Sequence, residues 1–342
     1  MMTTSEAGAQ PALPRGRADR PAPRGHALAG RRTDEPPASG PRASASAARR
    51  AGAWRGAATP WLFQAPVLVS LAVWVYGPLV FTGVLSLLDW DLISPHPKFV
   101  GLTNYRQLVE NPEFGNAVLR TGLYVLALLP FATVVPMALA IMLWKRPGRA
   151  SGIYRSLLFV PVMLAPVANA LSWRFVLDPL GGIVNEVFGG LGLPQRDWLG
   201  DPSFALPAIT LITAAKFVAM HLLLYGAALA GVDRRSLDAA RVDGATEWEI
   251  TRHLVVPQLV RTTALLAFLC AVFAGQWTFT NIVVLTDGGP DDTTDNVYFR
   301  LYQYAFTFFD AGTGAAAAMM IVGGLALAFA VVSLPRRRRA TG

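Results

Sequence analysis

The chain has 342 residues, 53% of them apolar and only 15% charged, with a formal net charge of +8. A water-soluble domain carries about 25% charged residues, so this composition excludes one, and the apolar residues gather in blocks of the roughly 20 residues needed to cross a bilayer. The basic excess flanks those blocks instead of forming a stripe on a soluble face, which argues against nucleic acid as a partner. In chain order, residues 1–60 come first, rich in Ala, Pro, Gly, Ser and Arg. They cannot bury a core and read as a disordered cytoplasmic tail. They hold no apolar segment of signal-peptide length, so they are not a secretory leader.

Six apolar spans follow across a domain of residues 61–335, and they predict an all-α membrane bundle. The spans are expected near Trp61–Val84, Thr121–Trp144, Ser156–Val176, Phe204–Leu229, Thr262–Leu285 and Thr313–Leu334. Prolines at 78, 130, 136, 161, 166 and 207 predict kinks, tolerable where neighbours satisfy the freed carbonyls. The single cysteine, Cys270, reads as a small core residue. With the N-terminus inside, 23 of the 30 Lys and Arg lie in cytoplasmic segments, including a basic C-terminus at 336–342. The positive-inside rule therefore expects both termini in the cytoplasm. All 22 acidic residues fall outside the spans, so no intramembrane carboxylate could carry a coupling ion. Energy is expected to enter from outside the membrane domain.

The loop at 232–259, between the fourth and fifth spans, contains SLDAARVDGATEWEITRHLVVPQL. Ser236 is expected to cap a short helix with Asp238 in its first turn. Gly244 ends that helix, Thr246 and Glu249 have capping-box spacing for a second one, and Pro257 marks the entry to the fifth span. On residues alone this is either an ordinary capped surface loop or a contact surface for another protein. In the fifth span, Gln276, Trp277, Thr278, Thr280 and Asn281 form a polar concentration at membrane depth. Such residues either hydrogen-bond a polar solute over an aromatic face or hold helices together. Asn169 and Trp173 on the third span have the same two readings. Lys216, inside the fourth span, either attracts an anionic group or satisfies carbonyls freed by a kink.

The loop resembles the cytoplasmic coupling motif of binding-protein-dependent ABC importer permeases. Asp238-Ala239-Ala240, Gly244, Leu254, Val256 and Pro257 keep every spacing of that motif, with Asp238 for the usual glutamate. LTDGGPDDTTDNVYFRLYQYAF after the fifth span is similar to the outer-loop signature of carbohydrate-type members, carried by Thr286, Gly288, Gly289, Pro290, Thr293, Tyr302 and Phe306. GLTNY at 101–105 and SLLDWD at 86–91 are weaker matches to the same group. The resemblance implies a MetI-like bundle in the bacterial cytoplasmic membrane, with a coupling helix between spans four and five formed around Asp238, Ala239, Ala240, Gly244 and Pro257. It also implies a second, homologous permease as heterodimer partner, an ATPase dimer carrying ATP and Mg, and an extracytoplasmic solute-binding lipoprotein. A sugar or oligosaccharide is the implied solute, with the fifth span among its contacts, and membrane lipid surrounds the bundle.

Two alternatives compete with this reading. The same importer type could carry a charged solute such as glycerol phosphate. A polytopic membrane enzyme would need an organised acidic or histidine site, and Asp89, Asp91, Asp287, Asp291 and Asp292 show no such organisation in sequence. Each of the three lysines follows Pro, Trp or Ala, so no Gly-Lys phosphate loop exists and no cofactor is expected in this chain. Metal ligands and catalytic residues are not expected either.

Overall fold

The computed structural model describes Trp61 and residues 63–337, with side chains to residue 330. The expected tail at 1–60 and the last five residues, 338–342, lie outside the described residues. Contacts divide the chain at Pro66 and Val67, and the described residues from Val67 onward hold the fold. Among the described residues, five helices are long and apolar enough to cross a membrane: Phe63–Leu85, Pro112–Lys145, Pro202–Ala230, Glu247–Leu285 and Ala311–Ala330. A sixth crossing would be the bent pair Arg149–Met163 and Pro166–Val176.

That pair covers the expected third span, and the kink that Pro161 and Pro166 predicted is a full break between two helices. Its halves meet at 100°, because two prolines lie on either side of a short extended joint. Leu164 and Ala165 have ψ of 136° and 132°. A residue ahead of proline is driven out of the α region, and Pro166 then opens the second half as its first helical residue. The joint leaves a wedge that the fourth and fifth spans line.

Pro78, Pro257 and Pro136 are absorbed in two ways, while Pro130 and Pro207 lie inside α-helices. In the first and fifth spans a five-residue π turn, Ala72–Tyr76 and Thr251–Val255, ends two residues before Pro78 and Pro257 respectively. A widened turn relieves the clash between a proline ring and the carbonyl four residues back. In the second span the helix breaks at Thr133 (φ −122°, ψ −66°), three residues before Pro136. Pro136 has no N–H for the Ala132 carbonyl, and the ring of His221 on the fourth span reaches that carbonyl through Nδ1 at 2.6 Å. His221 and not Lys216 answers a freed carbonyl here.

The core lies between the second, fourth and fifth spans in three tiers. Tyr225, Leu229, Leu259 and Leu266 fill the tier next to the 232–259 loop. Leu128, Ala132, Ala214, Phe217, Cys270 and Ala274 fill the middle, where Cys270 is buried as expected. Tyr124, Ile209, Ile282 and Phe299 fill the tier at the opposite end. The half of the first span that follows its π turn packs on the sixth span. Beyond it, a short antiparallel pair, Leu88–Asp89 with Lys98–Phe99, joins the two weaker motifs. Asn104 of GLTNY donates to the carbonyls of Ser86 and Leu88 of SLLDWD at 3.0 and 2.9 Å. Those motifs are a joint of the fold.

Candidate functional site

The 232–259 loop folds as a helix, a turn and the start of a long helix. The first helix, Arg234–Val242, is capped by Asp233, which accepts from Arg235 N. This corrects the expected cap at Ser236, whose hydroxyl instead donates to the Asp233 carbonyl at 2.9 Å. Gly244 ends the helix as expected, with φ of +85°. Ala245 N reaches the Ala240 carbonyl at 3.0 Å and Gly244 N the Arg241 carbonyl at 3.1 Å, the paired bonds of a Schellman end. Thr246 and Glu249 form the expected capping box. The second helix does not stop before Pro257, however. It runs through its π turn into the fifth span, making one 39-residue helix, Glu247–Leu285.

Leu237 is buried and Ala240 half-buried against the inner tier, which fixes this segment to the bundle. Asp238, Ala239, Gly244 and Pro257 remain exposed. Val242 and Trp248 project beside Gly244 with 88% and 70% of their surfaces accessible. An exposed ion-pair chain ties the two helices: Arg241 meets Asp238 at 2.8 Å and Glu247 at 2.9 Å, and Glu247 meets Lys145 at 3.1 Å. The result is a small-residue face between apolar knobs, anchored to the bundle by Val232, Leu237, Ile250 and Val255 and bordered by exposed charge pairs.

Of the candidates at membrane depth, the structure brings together Asn169, Lys216, Trp277, Thr280 and Asn281, with Thr213, around a crevice at the break of the third span. Trp277 is fixed by Phe217 and Phe273, whose ring centroids lie 4.4 and 5.6 Å away. Lys216 Nζ sits 4.6 Å from the Trp277 ring centroid. The remaining candidates lie elsewhere. Thr278 is fully buried, donates to Ala274 and Gly275 carbonyls and accepts from Asn296, so it holds helices together. Trp173 packs in the outer tier. Gln276 is exposed on another face of the helix. Asn281 does both jobs, lining the crevice while donating to Thr213 at 2.9 Å.

The segment after the fifth span folds onto the second and fifth spans as a buried clamp. Thr294, Asp295 and Asn296 are wholly buried. Asp295 accepts from Arg120 and from Arg300, each at 2.6 Å. Burial pushes its carboxyl up, against the pull of those two guanidiniums. Arg300 also meets Glu113 and Asp292 at 3.1 Å. Asn296 donates to Gly275 O and Thr278 Oγ1, both at 2.9 Å, and Tyr124 donates to Thr294 O at 2.9 Å. The Gly-Gly-Pro is the expected turn, with Gly289 N bonded to the Thr286 carbonyl.

Residues 109–340 match the family of binding-protein-dependent transport system inner membrane components. The chain belongs to this family. A probable ABC transporter permease of Pyrococcus horikoshii is 31% identical over 263 residues, 76% of this chain and 89% of that protein. The diacetylchitobiose uptake permease of Streptomyces coelicolor is 30% identical over 71% of this chain and 73% of its own length. A crystallised bacterial ABC transporter that imports the acidic polysaccharide alginate has a chain of the same fold, with a TM-score of 0.72 at 21% identity over 84% of this chain and 99% of that one. The molecule is therefore a transport permease subunit of an ABC importer and not an enzyme, with the fold its coupling-type motif implied.

What sequence reading of the permease missed is the clamp. Asp295 and Arg120 are 175 positions apart, and although Asp295 sits inside the outer-loop signature, nothing in that stretch points to Arg120. The only local signal was the polar run DDTTDN that follows the Gly-Gly-Pro turn. His221 was missed as a kink partner for the same reason, being 89 positions from Ala132.

Proposed function

We infer that the permease carries a sugar or oligosaccharide into the cell, driven by ATP hydrolysis on a partner ATPase dimer. The observation that carries the solute class is the crevice, where amides and hydroxyls of Asn169, Thr280 and Asn281 surround an indole. That is the chemistry which matches saccharide hydroxyls over an apolar sugar face. The similarity to a diacetylchitobiose uptake permease supports the same class. One chain supplies one wall of the path, and a second, homologous permease supplies the other. An extracytoplasmic lipoprotein delivers the solute.

The positive-inside bias supports an orientation with both termini and the 232–259 loop in the cytoplasm. Asp238, Ala239, Ala240 and Gly244 then form the coupling surface, with Val242 and Trp248 as its knobs and Pro257 at the root of the fifth span. Small residues let another backbone approach closely, and exposed apolar side chains beside them mark a contact surface. ATP and Mg bind on the ATPase.

Affinity purification of the tagged chain from native membranes, with mass spectrometry of its companions, tests the assembly. Recovery of a second permease, an ATPase and an exported lipoprotein that binds a saccharide is the expected result. Recovery of a lipoprotein that binds only amino acids or peptides would overturn the solute class.

A further inference from the structure

We propose that Lys216 is a specificity-determining residue and that the solute carries a negative charge, as a uronate carboxylate or a phosphate ester on the sugar. This rests on the saccharide reading above and narrows it.

Lys216 lies in the Pro202–Ala230 helix, half-buried at membrane depth, where a cation is costly unless paired or facing water. Among the described residues it has no ion pair and no hydrogen bond, and its recorded partner is the Trp277 ring. Every residue lining its crevice is neutral apart from itself. No acidic residue falls within the Pro202–Ala230 helix that carries it, and none lines the crevice. The structural role open to it, filling a carbonyl freed by a kink, is taken by His221 at Ala132. The cation is thus placed and aimed but not neutralised.

Its surroundings are also uncommitted. The side chains of Asn169 and Thr280 make no hydrogen bond among the described residues, and Asn281 uses its amide N–H on Thr213 while its carbonyl oxygen remains available. The cation lies over one side of the crevice, against an indole that Phe217 and Phe273 hold in place. An ammonium beside unpaired amide and hydroxyl groups matches a sugar bearing one anionic substituent. A neutral sugar would leave the ammonium unpaired when the site closes around it, whereas an anionic one compensates it.

The test is uptake by cells expressing the whole importer, for the wild type and for Lys216→Met and Lys216→Arg. The labelled probes are trigalacturonate, glucose 1-phosphate, and the neutral sugars cellobiose and diacetylchitobiose. Membrane levels of the chain are measured for each variant. The proposal expects uptake of an anionic probe that falls at least tenfold in Lys216→Met and is largely retained in Lys216→Arg. The trigalacturonate and glucose 1-phosphate arms separate carboxylate from phosphate. Uptake of a neutral probe alone, or anionic uptake unchanged in Lys216→Met, would overturn the anionic reading and leave the saccharide reading standing. Uptake of none of the four probes would overturn both.

Discussion

The two ends of the permease hold their charges in opposite ways. In the 232–259 segment, Asp238, Arg241 and Glu247 keep 69, 48 and 56% of their side-chain surface accessible while paired. In the clamp, Asp295 has none exposed and Arg300 only 7%. Exposed pairs contribute about 0–1 kcal/mol and can be exchanged for a partner's charges at little cost. Breaking a buried pair costs about 3–5 kcal/mol, because the remaining charge is left without compensation. One end is therefore open to rearrangement by another protein, and the other is fixed to the second and fifth spans. The helix Glu247–Leu285 joins them, and its 39 residues reach about 58 Å at 1.5 Å each. One continuous helix therefore links the exposed end to the clamp.

The largest effect should come from breaking the clamp. Asp295→Ala leaves Arg120 and Arg300 facing each other and should cost about 3–5 kcal/mol, seen as loss of folded protein or a sharply lowered Tm in detergent. Wild-type stability in that variant would remove the contrast between the two ends. Next is Gly275, where an added Cβ would lie 2.6 Å from the Tyr298 ring. Gly275→Leu should overpack the junction by about 1–3 kcal/mol, read by the same melt, with Gly275→Ala intermediate.

His221→Leu comes third. It leaves the Ala132 carbonyl unsatisfied, at about 1–3 kcal/mol, and hydrogen exchange should rise locally around Thr133. The smallest effect belongs to Arg241→Ala, within about 1 kcal/mol in thermal stability. Its consequence should appear instead in affinity for the ATPase, measured by co-purification. A large drop in Tm for Arg241→Ala would show that the exposed chain is structural after all.

How much of this was legible in the sequence depends on distance along the chain. The Thr246 capping box, the Gly244 helix end and the Gly-Gly-Pro turn are set within six residues and were readable. The Ser236 cap failed because Asp233, three residues earlier, is an equally good cap and starts the helix sooner. Pro161 and Pro166 announced a kink in the third span but not its size: the extended pair Leu164–Ala165 ahead of Pro166 makes it a 100° break. Pro136 likewise showed that a carbonyl would be freed without showing that His221 would take it. In the crevice, residue type found Asn169, Lys216, Trp277 and Asn281, while only packing could separate them from Thr278, Trp173 and Gln276, which share their chemistry but face other partners.

The central claim is that the segment around Gly244 couples hydrolysis to transport. Gly244 has open space around it and φ of +85°, so Gly244→Asp places a charge on the proposed contact face while straining that turn by about 1–2 kcal/mol, leaving the buried tiers untouched. The decisive measurement is solute uptake alongside ATP hydrolysis in cells or proteoliposomes holding the complete importer with this variant. Normal membrane levels with uptake abolished, and hydrolysis no longer stimulated by loaded binding protein, is the predicted result. Wild-type uptake with wild-type stimulation would contradict the account.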